Sequence, residues 1–85
     1  MSHHPSIFMP VSQIDQAWAH IHSEPYVFVY ISSPHCGVCH ALKPQLSNLL
    51  AEHQPRVRFL ELDASALPAV ASEFHALTLP VLLLF

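Results

Sequence analysis

The chain has 85 residues, 52% of them hydrophobic, and a formal net charge of −3 at pH 7, which excludes a disordered chain and suits one small domain spanning residues 1–85. Only three side chains are basic, too few to neutralise a phosphate backbone, so no nucleic acid is expected as a partner. No apolar run reaches the ~18–20 residues of a membrane span, and the N-terminus lacks the pattern of a secretory signal. We therefore expect no membrane attachment and a cytoplasmic location.

The first third of the chain predicts an edge strand, a helix and a buried strand. Residues 6–9 form a short apolar stretch closed by Pro10, which is typical of an edge strand. Ser12 offers a helix N-cap, and apolar side chains then recur at helical spacing until Pro25. The apolar positions of this helix are Ile14, Ala17, Trp18 and Ile21. Residues 26–32 are apolar almost throughout, as in a strand that a parallel sheet buries on both faces.

The rest of the chain predicts two more helices and two more strands. A helix begins near Cys36 and contains Pro44, which should kink it. Its apolar face is predicted to consist of Leu42, Leu46, Leu49, Leu50 and His53. Residues 57–63 form the next strand, residues 65–74 a third helix, and residues 80–85 a last apolar strand after a turn. The apolar positions of the third helix are Leu67, Val70, Ala71 and Phe74.

The alternation of strands and helices determines the predicted fold class. A right-handed crossover makes the strands at 26–32 and 57–63 parallel. The order β-α-β-α-β-α-β favours an α/β fold, with helices on both faces of one mixed sheet of about four strands.

The two cysteines are the main candidates for chemistry. They stand close together in Cys36-Gly37-Val38-Cys39, and a bridge between them closes too small a loop to add much stability. Cys36 follows a strand and opens a helix, where unpaired N–H groups and a partial positive charge favour a thiolate. Cys39 is expected to be more buried. The sequence therefore predicts that Cys36 attacks a disulfide and that Cys39 resolves the mixed disulfide.

Two histidines bracket the cysteine pair, His35 and His40. A protonated imidazole would add to thiolate stabilisation and a neutral one could shuttle a proton, whereas the alternative is two exposed polar side chains at a helix start. The carboxylates elsewhere are scattered, and no acid–base pair is predicted among them. They are Glu24, Glu52, Glu61 and Glu73.

The order of five residues along the chain resembles that of the thioredoxin family. These residues are Cys36, Cys39, Pro44, Asp63 and Pro80. The resemblance covers residues 6–85 and implies a thioredoxin-like fold that ends before the family's final strand and helix. It also implies a thiol–disulfide oxidoreductase that needs no organic cofactor or metal for the exchange. Its partners would be protein or small-molecule thiols and disulfides, together with an unidentified reductase or oxidant.

The resemblance also implies roles for the segment before the last strand. Pro80 is expected to follow a cis peptide bond and to lie against the Cys36 sulfur. Leu79 is expected to offer its backbone to an extended substrate peptide. Because X–Pro bonds are cis in only ~5–6% of folded cases, this expectation rests on the family.

Four positions depart from the family pattern. Tyr30 stands where the family has a buried aspartate beneath the second cysteine, and Phe59 replaces the lysine partner of that aspartate. Tyrosine titrates near ~10 and is a poor base at pH 7, so no proton acceptor is expected for the resolving thiol. His35 replaces a tryptophan, and Val38 replaces the proline between the cysteines. These departures leave open a weaker reductase, a more oxidising exchanger or a specialised partner.

Three other interpretations stay open. The segment from Cys36 to His40 satisfies the Cys-x-x-Cys-His pattern of haem attachment, although the β–α–β surroundings favour thioredoxin. A metal site is the second alternative, with ligands from His35, Cys36, Cys39 and His40. All four fall within six residues and do not easily converge on one ion. The third alternative is a non-catalytic thioredoxin-like interaction domain.

The last strand, at residues 80–85, would have an unpaired edge and two apolar faces. Such an edge is prone to pair with another chain. The sequence therefore predicts a homodimer formed through residues 80–85.

Overall fold

The computed structural model describes residues 6–75 and 78–85. A four-stranded sheet runs through it in the order β1–β3–β2–β4, with β1, β3 and β2 parallel and β4 antiparallel to β2. The elements are β1 (Met9–Pro10), α1 (Ile14–Ser23), β2 (Val27–Ser32), α2 (Gly37–Leu50), a 3-10 turn (Ala51–His53), β3 (Arg58–Asp63), α3 (Val70–Glu73) and β4 (Val81–Leu84). The predicted mixed sheet of an α/β fold is confirmed.

Alternate residues of the strands form two different cores. On one side of the sheet, aliphatic side chains from β2 and β3 pack with residues of α1 and α3, and we call this side the aliphatic face. Its fully buried strand residues are Val27, Val29, Ile31, Leu60 and Leu62. On the other side, which we call the aromatic face, rings pack beneath α2. Its residues are Phe8, Phe28, Tyr30 and Phe59, with Cys39 among them.

Two helix starts differ from the sequence prediction. The backbone of Gln13 is extended, so α1 begins at Ile14 and its N-cap is Gln13, not Ser12. The predicted helix over 65–74 is confined to Val70–Glu73. Pro68 explains the loss, because proline disfavours helical backbone at the preceding residue and has no N–H to donate.

Three residues predicted on apolar helix faces are exposed. Leu49 is 69% exposed because the buried side of α2 includes Ser47 and is rotated away from Leu49. His53 is exposed because the helix gives way to the 3-10 turn at Ala51, which ends the stripe. Ala71 is exposed on the short helix α3.

The last strand has one covered face and one open face. Val81 and Leu83 pack against the aliphatic core, and the Phe85 ring lies 5.9 Å from the Trp18 ring. Leu82 and Leu84 point to the aromatic face and are 44% and 68% exposed. Among the described residues, β4 pairs only with β2, so the predicted edge strand with two apolar faces is confirmed, and the face that carries Leu82 and Leu84 is uncovered.

Candidate functional site

The two cysteines lie where the chain leaves β2 and enters α2. The Cys36 N–H donates to the Ser33 carbonyl at 3.0 Å, which closes a tight turn after the strand. Cys36 then forms the N-cap of α2, and its sulfur accepts a hydrogen bond from the Cys39 N–H at 3.2 Å. That N–H is one of the donors that a helix start leaves unpaired, so the sulfur takes the place of a capping oxygen.

Cys36 and Cys39 are bonded to each other, with their Cα atoms 5.2 Å apart. Their exposure differs: Cys36 is half-buried, whereas Cys39 is only 2% exposed and belongs to the core of the aromatic face. The geometry agrees with the expectation that the second cysteine is the sheltered one. Cys36 is therefore the more accessible of the two cysteines.

The neighbours of the cysteines are mostly exposed. Val38 is 66% exposed, and a Cβ added to Gly37 would meet nothing within 4 Å, so the outer surface of this turn is open. His40 donates from Nε2 to the carbonyl of Pro34 at 2.9 Å, which braces the turn across the helix start. His35 is exposed, and it adds a smaller contribution to the lowered pKa of Asp63, which comes mainly from hydrogen bonds donated by Ser65.

The segment before β4 carries the expected cis peptide bond between Leu79 and Pro80. Both residues are half-buried, and Leu79 packs against the two cores, including the one that contains Cys39. The predicted contact between Pro80 and the Cys36 sulfur stays a prediction, as does the use of the Leu79 backbone by a substrate.

Tyr30 lies beneath the second cysteine, as the resemblance implies. Its hydroxyl donates to the backbone carbonyl of Cys39 at 2.7 Å, and the residue is fully buried. Burial raises the pKa of the Tyr30 hydroxyl, and the negative charge of Glu61 raises it further. The hydroxyl therefore stays protonated as a donor and ties β2 to the first turn of α2.

Sequence reasoning missed Glu61 and Lys43. Glu61 stands opposite Tyr30 in the register of β2 and β3, and its carboxylate lies 2.7 Å from the Lys43 ammonium of α2. Both residues line a cavity of about 300 Å³ that Cys39 also lines. A signal was present in the sequence, because Glu61 is a charged residue between the apolar residues Leu60 and Leu62, both of which are buried.

Residues 6–75 and 78–85 contain neither a metal-binding cluster nor a membrane-spanning helix. No group of three or more histidine, cysteine, aspartate or glutamate side chains is arranged to hold a metal ion in this part of the chain. No helix within the same residues is long and apolar enough to cross a membrane.

A bonded Cys-x-x-Cys pair at the start of the helix after the central strand, with a cis-proline before an antiparallel strand, defines dithiol proteins of the thioredoxin fold. The family model described as thioredoxin matches residues 11–85. The chain therefore belongs to the thioredoxin family.

Individual relatives agree with this assignment. Thioredoxin-like protein YdfQ of Bacillus subtilis is 40% identical over 65 residues, covering 76% of this chain and 57% of that protein. Chloroplastic thioredoxin M-type of Spinacia oleracea is 26% identical over 73 residues, covering 84% of this chain and 40% of that protein. This chain thus spans about half the length of the curated relatives that it matches.

Solved structures show the same fold. Thioredoxin NaTrxh from Nicotiana alata superposes with a TM-score of 0.84 at 25% identity, covering 100% of this chain and 76% of that one. The oxidised form of mitochondrial thioredoxin 3 from Saccharomyces cerevisiae gives 0.82 at 22% identity, covering 91% and 72%.

Proposed function

We propose that this chain is a thiol–disulfide oxidoreductase that works through Cys36 and Cys39. One observation carries the proposal: two bonded cysteines share one helix start, and only the first is accessible. A structural bridge would not require that difference, whereas exchange does, because one sulfur must meet the substrate and the other must be kept from it.

The proposed reaction has two steps. In the reduced protein the Cys36 thiolate attacks a substrate disulfide, forms a mixed disulfide and releases the first substrate thiolate. Cys39 then attacks the Cys36 sulfur, forms the internal disulfide and releases the second substrate thiolate. Two electrons pass to the substrate, and the reverse sequence oxidises a substrate dithiol.

The helix start supports the first step. The Cys39 N–H that donates to the Cys36 sulfur, together with the partial positive charge of the helix N-terminus, stabilises a thiolate more than a thiol. His35 and His40 would add to this effect when protonated. Gly37 and Val38 leave the surface around the sulfur open, which suits the approach of a substrate.

Leu79 and Pro80 are proposed to form the substrate-binding side of the site. The cis peptide bond between them and their half-buried position support this proposal. A peptide bound there would be held by the Leu79 backbone while its disulfide meets Cys36.

The test is the redox equilibrium of the cysteine pair. The chain is equilibrated in glutathione buffers, and free thiols are trapped at each potential. A reversible two-electron transition within the range of about −120 to −270 mV known for this class of protein is the expected result. The variant Cys39→Ser should accumulate a mixed disulfide that Cys36→Ser cannot form. A pair that never forms an internal disulfide would refute the proposal and favour a non-catalytic interaction domain.

The partners belong to the same proposal. We expect protein or small-molecule disulfides as substrates and an unidentified reductase or oxidant that restores the pair. The exchange chemistry needs no cofactor, because the sulfurs themselves carry the electrons. A cytoplasmic location is also proposed, and fractionation of cells that express the full-length gene checks it.

We further propose that two copies associate through residues 80–85. The support is the unpaired edge of β4 and the exposed side chains of Leu82 and Leu84. Light scattering at high concentration should give the mass of a dimer, and Leu84→Lys should give that of a monomer. A wild-type monomer would contradict this proposal.

We also propose that residues 1–85 form one folding unit. The two cores share the strands β2 and β3, so neither should unfold alone. A single cooperative transition by circular dichroism and by tryptophan fluorescence is expected.

A further inference from the structure

A cavity of about 300 Å³ adjoins the buried cysteine. Cys39 and Tyr30 form part of its wall, and four charged or ionisable side chains also line it. These are Lys43, Glu61, His40 and Asp63. Because Cys39 is only 2% exposed, its sulfur has little direct access to bulk water. A cavity of this size has room for several water molecules, and the charged side chains in its wall offer them hydrogen-bond partners, so water would connect the sulfur with those side chains.

The Cys39 thiol needs a proton acceptor, because only a thiolate attacks a disulfide and burial disfavours the thiolate. Three of the ionisable groups are engaged in other ways. Tyr30 donates its hydroxyl hydrogen to the Cys39 carbonyl. Asp63 already accepts two hydrogen bonds from the turn that follows it, at 2.8 and 2.6 Å. His40 is exposed, and its ring donates to the loop before the helix.

Glu61 is the remaining acceptor. Its side chain is 17% exposed, and its carboxylate is held 2.7 Å from the Lys43 ammonium. The ion pair with Lys43 therefore holds the Glu61 carboxylate at the wall of the cavity. The carboxylate missing from β2, where Tyr30 stands, is thus present on the adjacent strand.

We propose that Glu61, positioned by Lys43, accepts the proton of Cys39 through water in this cavity. This inference rests on the exchange activity proposed above. It also replaces the sequence-based expectation that the resolving thiol has no acceptor.

The resolving step balances as follows. The Cys39 S–H bond breaks and its proton passes to the Glu61 carboxylate. The sulfur's electron pair then forms the bond to the Cys36 sulfur, while the bond between Cys36 and the substrate sulfur breaks. The substrate leaves as a thiolate and takes a proton from water. Reduction of the protein runs the same transfers backwards, and Glu61 returns the proton to Cys39.

The test uses the reduced full chain and the aromatic disulfide DTNB, whose coloured thiolate is released twice. The first release follows attack by Cys36, and the second follows resolution by Cys39. Glu61→Gln keeps the size of the side chain and a hydrogen bond to Lys43, but it cannot accept a proton. Because a positioned base contributes about 10²–10⁴-fold, we expect the second release to slow by about 10-fold or more near pH 7, with the first unchanged.

Three further variants separate proton transfer from structure. Glu52→Gln removes a carboxylate that is 80% exposed, and it should leave both releases unchanged. Glu61→Asp keeps an acceptor and should restore part of the second rate. Lys43→Gln removes the adjacent cation and should move the pH midpoint of the second release upward. If Glu61→Gln does not fold, as judged by circular dichroism, the pH profile of the second release in Lys43→Gln provides the test of the proposal.

Two outcomes would overturn the inference while leaving the exchange activity intact. One is a second release that Glu61→Gln does not slow. The other is an equal slowing of both releases with an unchanged pH profile in Lys43→Gln. Wild-type chain that gives no first release would instead refute the exchange activity, and this inference with it.

Discussion

The two faces of the sheet are built from alternate residues of the same strands, yet they differ in kind. Fully buried aliphatic side chains such as Val29 and Leu60 form the centre of the aliphatic face. The aromatic face mixes rings with Cys39, the hydroxyl of Tyr30 and the carboxylate of Glu61. The aliphatic face thus contributes stability through apolar burial, whereas the aromatic face also holds charged and polar side chains around a cavity beside Cys39.

The largest expected loss of stability comes from a substitution in the aliphatic face. Leu60→Ala removes a fully buried side chain, and the lost burial and the remaining cavity should lower the free energy of unfolding by about 2–5 kcal/mol. The control Leu49→Ala changes a side chain that is 69% exposed, and it should change the free energy of unfolding by no more than about 0.5 kcal/mol. Urea denaturation measures both. Similar losses in the two variants would mean that burial in the aliphatic face contributes no more than an exposed leucine does.

A smaller effect is expected from the Tyr30 hydroxyl, which joins β2 to the first turn of α2. Tyr30→Phe removes the hydrogen bond to the Cys39 carbonyl and should cost about 1 kcal/mol at pH 7. The same deletion at Tyr26, which is 57% exposed, should cost almost nothing.

The pH dependence at alkaline pH gives an independent check on Tyr30. Its pKa in the folded protein lies above the ordinary 10.0, so its contribution to stability is present below pH 10 and is lost as pH rises through the folded value. Tyr30→Phe should remove that alkaline loss. An unchanged alkaline limb would contradict the buried position of the hydroxyl.

A gain in stability is expected from removal of the buried Ser47 hydroxyl in α2. The Ser47 hydroxyl is buried in α2 and finds no hydrogen-bond partner among the described residues. Ser47→Ala should raise the free energy of unfolding by about 1 kcal/mol, because it removes that group and improves helix propensity. The exposed neighbour Asn48 is the control, since Asn48→Ala improves propensity alone and should gain about half as much. Thermal denaturation compares them.

The smallest effect concerns the acid limit of stability. Hydrogen bonds from Ser65 lower the pKa of Asp63 below its ordinary 3.8, and the charge of His35 contributes to the same shift. A lowered folded pKa stabilises above the unfolded value, and that stability is lost as pH falls through the folded value. Asp63→Asn should therefore flatten the acid limb of stability measured below pH 4, whereas Glu52→Gln should leave it unchanged. An acid limb that stays the same in Asp63→Asn would show that Asp63 does not carry this dependence.

The order of the elements and the place of the cysteine pair at a helix start follow from the sequence alone. Local patterns suffice for this: residues 27–32 are apolar at nearly every position, and Cys36 and Cys39 stand where a strand gives way to a helix. These features depend on neighbours within a few residues along the chain.

Only the tertiary structure decided which side chains meet across the sheet. Glu61 belongs to β3 and Lys43 to α2, eighteen residues apart, and neither has a local signal that names the other. Their contact follows from the parallel register that sets Glu61 opposite Tyr30, and from the rotation of α2 that buries Cys39 and Ser47 but exposes Leu49. Register and helix rotation are set by packing over the whole core, so the cavity beside Cys39 could not be inferred from the sequence.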